Sequence, residues 1–341
     1  MRIGLKQYLK NKFRTPTPNT SVGIAFTAEQ VLICALRATA DNVEWILDAS
    51  FSHQSWQSQL AKLVRENNLL GSKCYFALSS HWYRIHQIDR PNVPESELKQ
   101  ALQFPLQEIA GSDKPLVYDY ADMPLQVTGQ QKMFAVAVAK EEIDKLTSVI
   151  FDCELDLQAI SVEEFATVGL VEDQSEATIT LVQEHGEVVV LNIVKNNQLF
   201  FSRRLSGFEN IGGFTESELQ MGISDSICVQ IQRSMDFFES QLRQAPIKRI
   251  LIKLDSPHTA FLCQQISSTM GVKCELFMPP ITCTGELNFK LASFSCLGAA
   301  YMGLPKTGQA QKANSESVSP NAETTQKSSK ARITVSAGGE Q

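Results

Sequence analysis

The residues with the clearest chemical potential are a pair of arginines in the second half of the chain. Arg203 and Arg204 end an apolar run, and Gly207, Gly212 and Gly213 follow closely. A glycine-rich turn beside basic residues can bind phosphate through backbone amides and positive charge. The alternative is a flexible connection, with the arginines paired to Glu or Asp across a cleft. The sequence leaves both interpretations open.

Other combinations of reactive residues are weak. His81 and His86 have no Cys or carboxylate at ligand spacing, so no metal site is predicted. Asp225 and Asp236 share one predicted helix but are too far apart to act as a close catalytic pair. The eight cysteines are scattered without a CxxC pair, which indicates buried thiols in a reducing compartment. No catalytic residue is predicted.

Composition narrows the class of protein. The chain has 341 residues, enough for two lobes, and 43% of them are apolar. Its net charge of −6 argues against a general nucleic-acid binder, which usually has a strongly basic face. No apolar run approaches the roughly 18 residues of a membrane span, and the N-terminus does not resemble a signal peptide. We therefore expect a cytoplasmic protein.

Both ends of the chain differ from its middle. Residues 1–19 form a basic leader that ends in TPTP. Leu5, Leu9 and Phe13 give it an apolar stripe among Lys and Arg, so residues 1–14 could rest on an anionic membrane surface. The alternative is that the leader packs on its own domain or stays frayed. Residues 305–341 are rich in Ser, Thr and Gln, and we predict a disordered tail.

Between these ends the predicted elements occur in the same order twice. Each time, three strands are followed by alternating helices and strands. In the second half, short polar turns join the first strand to the second and the second to the third. Pro105 is expected to kink one helix or end it early. The predicted helices are His53–Asn67, Glu95–Ile109, Glu141–Phe151, Glu163–Leu170, Asp225–Gln244, Ala260–Met270 and Phe289–Met302.

Four segments resemble PilM-type pilus-assembly proteins, and most closely the MshI-type members that serve the mannose-sensitive haemagglutinin (MSHA) pilus. These segments are AISVEEFATVGL, LFFSRRL, VQIQRSMDFFESQL and SFSCLGAAYMGL, which begin at Ala159, Leu199, Val229 and Ser293. The resemblance implies an α/β, actin-like fold, which is a duplicated ribonuclease H-like ATPase fold with two lobes. We then expect a first lobe at 20–170, with an inserted subdomain at about 80–131, and a second lobe at 171–304.

The resemblance also locates three turns that hold nucleotide in active actin-like ATPases, and all three are degenerate here. Glycines and an aspartate are replaced, and Glu29 brings a negative charge to the first turn. The altered positions are Ala25 and Thr27 in the first turn, Gln183, Glu184 and His185 in the second, and Ser256 and Pro257 in the third. We expect no cofactor and no ATP hydrolysis. The alternative is an active ATP-binding PilM-like ATPase.

The function implied by the resemblance is a non-enzymatic platform for type IV pilus biogenesis, peripheral to the inner membrane. Its partners would be the cytoplasmic segment of a PilN-like bitopic membrane protein and other platform components, with no nucleic acid. A type II secretion platform component similar to GspL is a further alternative. The docking surface is expected in Tyr75–Val138. Its candidate residues are Trp82, Tyr83, Val93 and Leu98, each of which could instead be plain core.

Overall fold

The computed structural model describes residues 19–111, 113–124, 131–172 and 175–304. The predictions for the basic leader before residue 19 and for the tail from residue 305 concern residues outside those ranges. The described strands are β1 Thr20–Phe26, β2 Gln30–Ala38, β3 Val43–Ser52, β4 Lys73–Leu78, β5 Ile85–Asp89, β6 Leu116–Asp122, β7 Lys132–Ala139, β8 Asp156–Val162, β9 Thr178–Val182, β10 Val189–Lys195, β11 Gln198–Leu205, β12 Arg249–Lys253, β13 Lys273–Leu276 and β14 Thr282–Cys283.

The longer described helices are α1 Trp56–Glu66, α2 Glu95–Ala110, α3 Lys140–Asp152, α4 Glu163–Val168, α5 Ser224–Asp236, α6 Thr259–Met270 and α7 Phe294–Met302. Shorter turns lie at Ile211–Gly213 (3₁₀), Glu216–Glu218 (α), and Leu219–Ile223 and Phe237–Gln241 (π). Pro105 does not end α2, which continues to Ala110. The helix predicted at 225–244 becomes α5 and a wide final turn. The helix predicted from Phe289 begins later, at Phe294, where Ser293 caps it through a hydrogen bond from the Cys296 amide.

Two large sheets share one topology. The first has the order β14-β3-β2-β1-β4-β8, and the second has the order β11-β10-β9-β12-β13. In each, three antiparallel strands are extended by two parallel strands beside the first of the three. Asn196 and Asn197 join β10 to β11 with φ angles of 52° and 58°, the left-handed conformation that a tight hairpin requires. The duplicated strand order confirms the predicted fold class.

A third, smaller sheet has the order β5-β7-β6 and is antiparallel throughout. Helix α2 packs on it through Leu98, Leu102 and Leu106, which are buried with Met133 and Ala135. The small sheet follows β4 and returns through α3 to β8 of the first sheet. Its last strand, β7, lies beyond the segment of about 80–131 that the sequence suggests for an inserted subdomain.

The last described segment returns to the first sheet, although the sequence places it with the second lobe. Strand β14 pairs with β3, and α7 packs against β1, β2 and β4. Close approach depends on two glycines that a side chain would block. A Cβ at Gly23 would lie 2.1 Å from the Cys296 carbonyl oxygen, and one at Gly298 would lie 2.3 Å from that of Ala166. Helix α7 therefore packs closely on the first lobe.

No helix in the described ranges is both long and apolar enough to cross a bilayer. The eight cysteines are all free, and six of them are buried.

Candidate functional site

The candidate site is the cleft where the β1–β2 turn of the first sheet meets the β9–β10 turn of the second. In the first turn, Thr27 closes the hairpin through its own backbone and side chain. Its amide donates to the Gln30 carbonyl oxygen at 2.9 Å, and its Oγ1 accepts from the Gln30 amide at 3.1 Å. Ala25 is buried in the core, and Glu29 is exposed at the tip. The turn is thus stabilised by the threonine that stands where a glycine was expected.

A carboxylate from the β9–β10 turn accepts a hydrogen bond from a backbone amide of this first turn. The Ala28 amide donates a 2.7 Å hydrogen bond to Oε1 of Glu187, a residue 159 positions later. Glu187 is only 7% exposed, and its other oxygen lies 3.6 Å from Nδ1 of His81. The negative charge at the turn is therefore that of Glu187. Glu29 also lies in this turn, as predicted, but its side chain is exposed to solvent.

Glu184, in the same β9–β10 turn, binds the N-terminus of α7. Its Oε1 accepts hydrogen bonds from the Ser295 amide at 2.9 Å, the Ser295 hydroxyl at 2.8 Å and the Ser293 hydroxyl at 3.1 Å. A carboxylate at a helix N-terminus is stabilised by the unpaired amides and the helix dipole. Because α7 packs on the first sheet, this contact is a second bridge between the lobes.

Gln183 ties the second turn to the third. Its Nε2 donates to the carbonyl oxygens of Glu187, Phe208 and Glu209, and its Oε1 accepts from the Asp255 amide at 3.2 Å. This glutamine is fully buried, so its hydrogen bonds satisfy groups that water cannot reach. Gln183 therefore stabilises the structure at this position of a degenerate nucleotide turn.

The third turn is built from Asp255, Ser256 and Pro257. The Ser256 hydroxyl accepts from the His258 amide at 3.2 Å, and Asp255 Oδ2 lies 2.8 Å from Nδ1 of the exposed His185. Pro257 is exposed and has no amide to offer an anion.

One of the glycines after the arginine pair, Gly212, packs against this third turn. A Cβ at Gly212 would lie 2.4 Å from the Asp255 carbonyl oxygen, so Gly212 is required for close packing. Close packing therefore explains the glycine at position 212, and no phosphate ligand is needed to explain it.

Little space remains inside the cleft. A cavity of about 20 Å³ lies between the lobes, room for about one water molecule. Carboxylates and hydroxyls from both sides line it, with Glu163 and Thr167 facing Glu184, Glu187 and Ser295. Pockets for small ligands usually measure about 300–1,000 Å³. The cavity at this position is much smaller than such a pocket.

The second arginine of the pair crosses the cleft. Arg204 Nη2 donates to Glu164 Oε1 at 2.9 Å and to Glu163 Oε1 at 3.3 Å. Its guanidinium also lies over the ring of Tyr83, with 5.4 Å from Cζ to the ring centroid. The Tyr83 hydroxyl donates to Glu164 Oε2 and accepts from the Glu163 amide. The prediction that a strand-end arginine pairs across the cleft is confirmed for Arg204.

The packing of Arg204, Tyr83, Glu163 and Glu164 shifts the pKa values of Glu163 and Tyr83. Burial, and then the neighbouring Glu164 carboxylate, raise the pKa of Glu163 well above its usual range. Burial, and then the two glutamates, also raise the pKa of Tyr83. Two carboxylates that share one guanidinium leave an excess negative charge, and Glu163 relieves it by holding a proton more readily.

The comparisons with known proteins rest on structure alone. No protein-family model matches the chain, and no curated protein matches its sequence. Among solved structures, it is similar to the PilM–PilN type IV pilus biogenesis complex, with 15% identity over 83% of this chain and 97% of that chain and a TM-score of 0.61. The fold is actin-like.

Two further structures are more distant. The cytoplasmic domain of EpsL, an inner-membrane component of the Vibrio cholerae type II secretion system, has 8% identity over 83% of this chain and 94% of that chain, with a TM-score of 0.46. A Bacteroides thetaiotaomicron protein of unknown function with an actin-like ATPase fold has 8% identity over 82% and 96%, with a TM-score of 0.45.

The residues predicted to dock a partner occupy different environments in this actin-like fold. Leu98 is fully buried on the inner face of α2, and Tyr83 is 4% exposed, beside Arg204 and Glu164 in the cleft. A partner cannot reach these two side chains, so a docking role for them is replaced by the alternative of plain core. Trp82 and Val93 are half-buried. Trp82 packs on the core of the first sheet, and Val93 packs on the core between α2 and the small sheet.

Three features of the site were missed by sequence reasoning. Glu187 lies two residues beyond the aligned turn, and its partner Ala28 could not be inferred from spacing. Lys253 is buried, donates to the Gln183 carbonyl oxygen at 2.8 Å and lies over the Phe294 ring. A lysine at the end of an apolar strand was the available signal. No group of three or more His, Cys, Asp or Glu among the described residues is placed to hold a metal ion.

Proposed function

We propose that this chain is a non-enzymatic assembly platform of a type IV pilus, of the MSHA type, located in the cytoplasm at the inner membrane. It binds the cytoplasmic segment of a PilN-like bitopic protein and links that protein to other platform components. The support is the fold, which is similar to that of the PilM–PilN complex over most of both chains. The four segments that resemble PilM-type proteins agree with it.

The observation that carries the non-enzymatic part of the proposal is the hydrogen bond from the Ala28 amide to the Glu187 carboxylate. In nucleotide-binding members of the fold, amides of this hairpin face phosphate. A fixed carboxylate there opposes a triphosphate by direct charge repulsion, which is strong in a partly dehydrated site. The cavity of about 20 Å³ beside it supports the same conclusion. We propose that no cofactor is required.

The test of the non-enzymatic part is calorimetric titration of the full chain with ATP and Mg²⁺. The proposal predicts no binding heat and no nucleotide-dependent rise in melting temperature, since a ligand stabilises only a protein that binds it. Micromolar binding would instead support an active ATPase and overturn this part of the proposal.

The platform part has its own test. A tagged full chain should sediment with inner membranes from its host and release a PilN-like bitopic protein after detergent extraction and affinity capture. Recovery of the chain without any bitopic protein, from cells that assemble pili, would contradict it.

A further inference from the structure

The outward face of helix α2 combines exposed apolar side chains with uncompensated acidic ones. Its inward face is occupied by Leu98, Leu102 and Leu106, which the small sheet buries. On the outward side, Phe104 is 82% exposed and Ile109 is 43% exposed, and Pro105 lies exposed between them. An isolated exposed apolar residue is common, but an exposed aromatic ring next to an exposed proline is a larger apolar surface, and Ile109 lies one turn after Pro105.

Pro105 leaves a backbone carbonyl group of this surface without its regular helical donor. A proline inside a helix has no N–H, so it cannot donate to the carbonyl oxygen of Ala101, four residues earlier. That carbonyl therefore lacks its regular helical donor on the same side as Phe104. A docked segment can supply a donor there, in addition to apolar contact.

The charged side chains on the Phe104 face are both acidic. Glu97 and Glu108 are exposed and, at the helical spacings of seven and four residues, lie on the same face as Phe104. Neither carboxylate has an ion-pair partner among the described residues. Lys99, the basic residue within α2, lies on another side of the helix. The complementary surface is thus apolar and cationic.

We propose that this face of α2, defined by Glu97, Ala101, Phe104, Pro105 and Glu108, docks a cationic, amphipathic segment of the bitopic membrane partner. Cytoplasmic segments that flank a membrane span carry an excess of Lys and Arg, so such a partner has the charge that this face lacks. An apolar side chain of the segment covers Phe104, and its Lys or Arg side chains pair with Glu97 and Glu108. The inference rests on the proposed platform function and names its docking surface.

The surface differs from the residues that the sequence suggested. Leu98 is on the opposite, buried side of the same helix, and Tyr83 is inside the cleft. The Phe104 face can bind a partner without unfolding either core.

The experiment measures binding of the full chain to a fluorescent amphipathic peptide with Leu on one face and Lys on the other. A matched peptide has Glu in place of Lys. We expect saturable binding of the Lys peptide alone, weakened on the order of tenfold by Phe104→Ser, as for the removal of a central aromatic contact. The double variant Glu97→Gln, Glu108→Gln should weaken binding and reduce its dependence on salt. The control is Met221→Ser, whose side chain is 86% exposed in the second lobe.

A second measurement places the surface in the cell. A photo-reactive phenylalanine at position 104 should crosslink to a membrane-spanning protein, whereas the same group at position 221 should not. Equal peptide binding by the wild type and by Phe104→Ser overturns the docking surface. If Phe104→Ser also leaves capture of the bitopic protein intact, the surface is wrong while the platform function stands. If no bitopic protein is captured by the wild type, the platform function itself fails.

Discussion

The backbone amide of Ala28 and the carboxylate of Glu187 are joined by a 2.7 Å hydrogen bond across the cleft of an actin-like fold. One group belongs to the first sheet and the other to the second, so the bond connects the lobes. It also gives the hairpin amide an anionic partner that the chain itself supplies. A protein built in this way can remain closed without a ligand.

Removing this carboxylate should loosen the cleft. We expect Glu187→Ala to destabilise the protein by about 1–3 kcal/mol, because the Ala28 amide loses a charged acceptor. Hydrogen exchange of the peptide that contains Ala28 should accelerate. The control is Glu209→Ala, since Glu209 accepts from the nearby Gly207 amide within one lobe. Unchanged exchange at Ala28 would show that the bond does not hold the lobes together.

Arg204 should contribute more to stability than its neighbour Arg203. Arg204→Met leaves Glu163 and Glu164 without their shared cation in a buried site, so we expect a loss of about 3 kcal/mol in the free energy of unfolding. Arg203→Met, on the same strand, should cost much less. Urea denaturation of both variants measures the difference, and equal losses would contradict a special role for Arg204.

The raised pKa of Glu163 predicts a pH effect of definite sign. A carboxyl group with a folded pKa above its unfolded value of about 4.3 contributes stability below that value and loses it as the pH rises. Glu163→Gln should therefore gain stability relative to the wild type as the pH rises above that unfolded value. Denaturant titrations over a series of pH values provide the measurement.

Glu141→Gln is the control with the opposite sign. The hydrogen bond and charge of Lys145, followed by the charge of Lys114, lower the pKa of Glu141. That carboxylate contributes stability above its unfolded pKa, so its removal should lower stability relative to the wild type as the pH rises. Parallel behaviour of the two variants would exclude the proposed cause.

Two glycines should respond differently to the same substitution. Gly298→Ala introduces a Cβ that would clash with the Ala166 carbonyl oxygen, so we expect destabilisation of about 1–3 kcal/mol from overpacking. Gly213→Ala meets nothing within 4 Å and should be nearly neutral. Melting temperatures of the two variants test whether α7 packs on α4 as closely as the structure shows.

Rebuilding one nucleotide turn should not restore ATP binding. In the double variant Ala25→Asp, Thr27→Gly, the carboxylate of Glu187 still occupies the Ala28 amide, and Pro257 still offers no amide in the third turn. We expect no melting-temperature shift with ATP and Mg²⁺, provided that circular dichroism shows the fold intact. A shift of several degrees would mean that the first turn alone excludes nucleotide and that Glu187 and Pro257 do not.

The sequence by itself determined the order of strands and the duplicated topology. Those signals are local: β-branched apolar runs separated by polar turns, such as Asn196-Asn197, specify hairpins within a few residues. Arg204 could be expected to pair across a cleft because a strand-end cation needs a counter-charge. The degenerate turns could be located because the resemblance provides their positions along the chain.

Only the tertiary structure decided what fills the cleft and which residues are accessible. The contact between Ala28 and Glu187 spans 159 positions, and no local pattern encodes such a pairing. Leu98 and Phe104 share one helix, and the packing of that helix on the small sheet determines which is buried and which is exposed. Helix α7 lies on the first sheet because Gly23 and Gly298 permit backbone contact there. Burial and long-range contact depend on how elements pack, so they cannot be read from propensity alone.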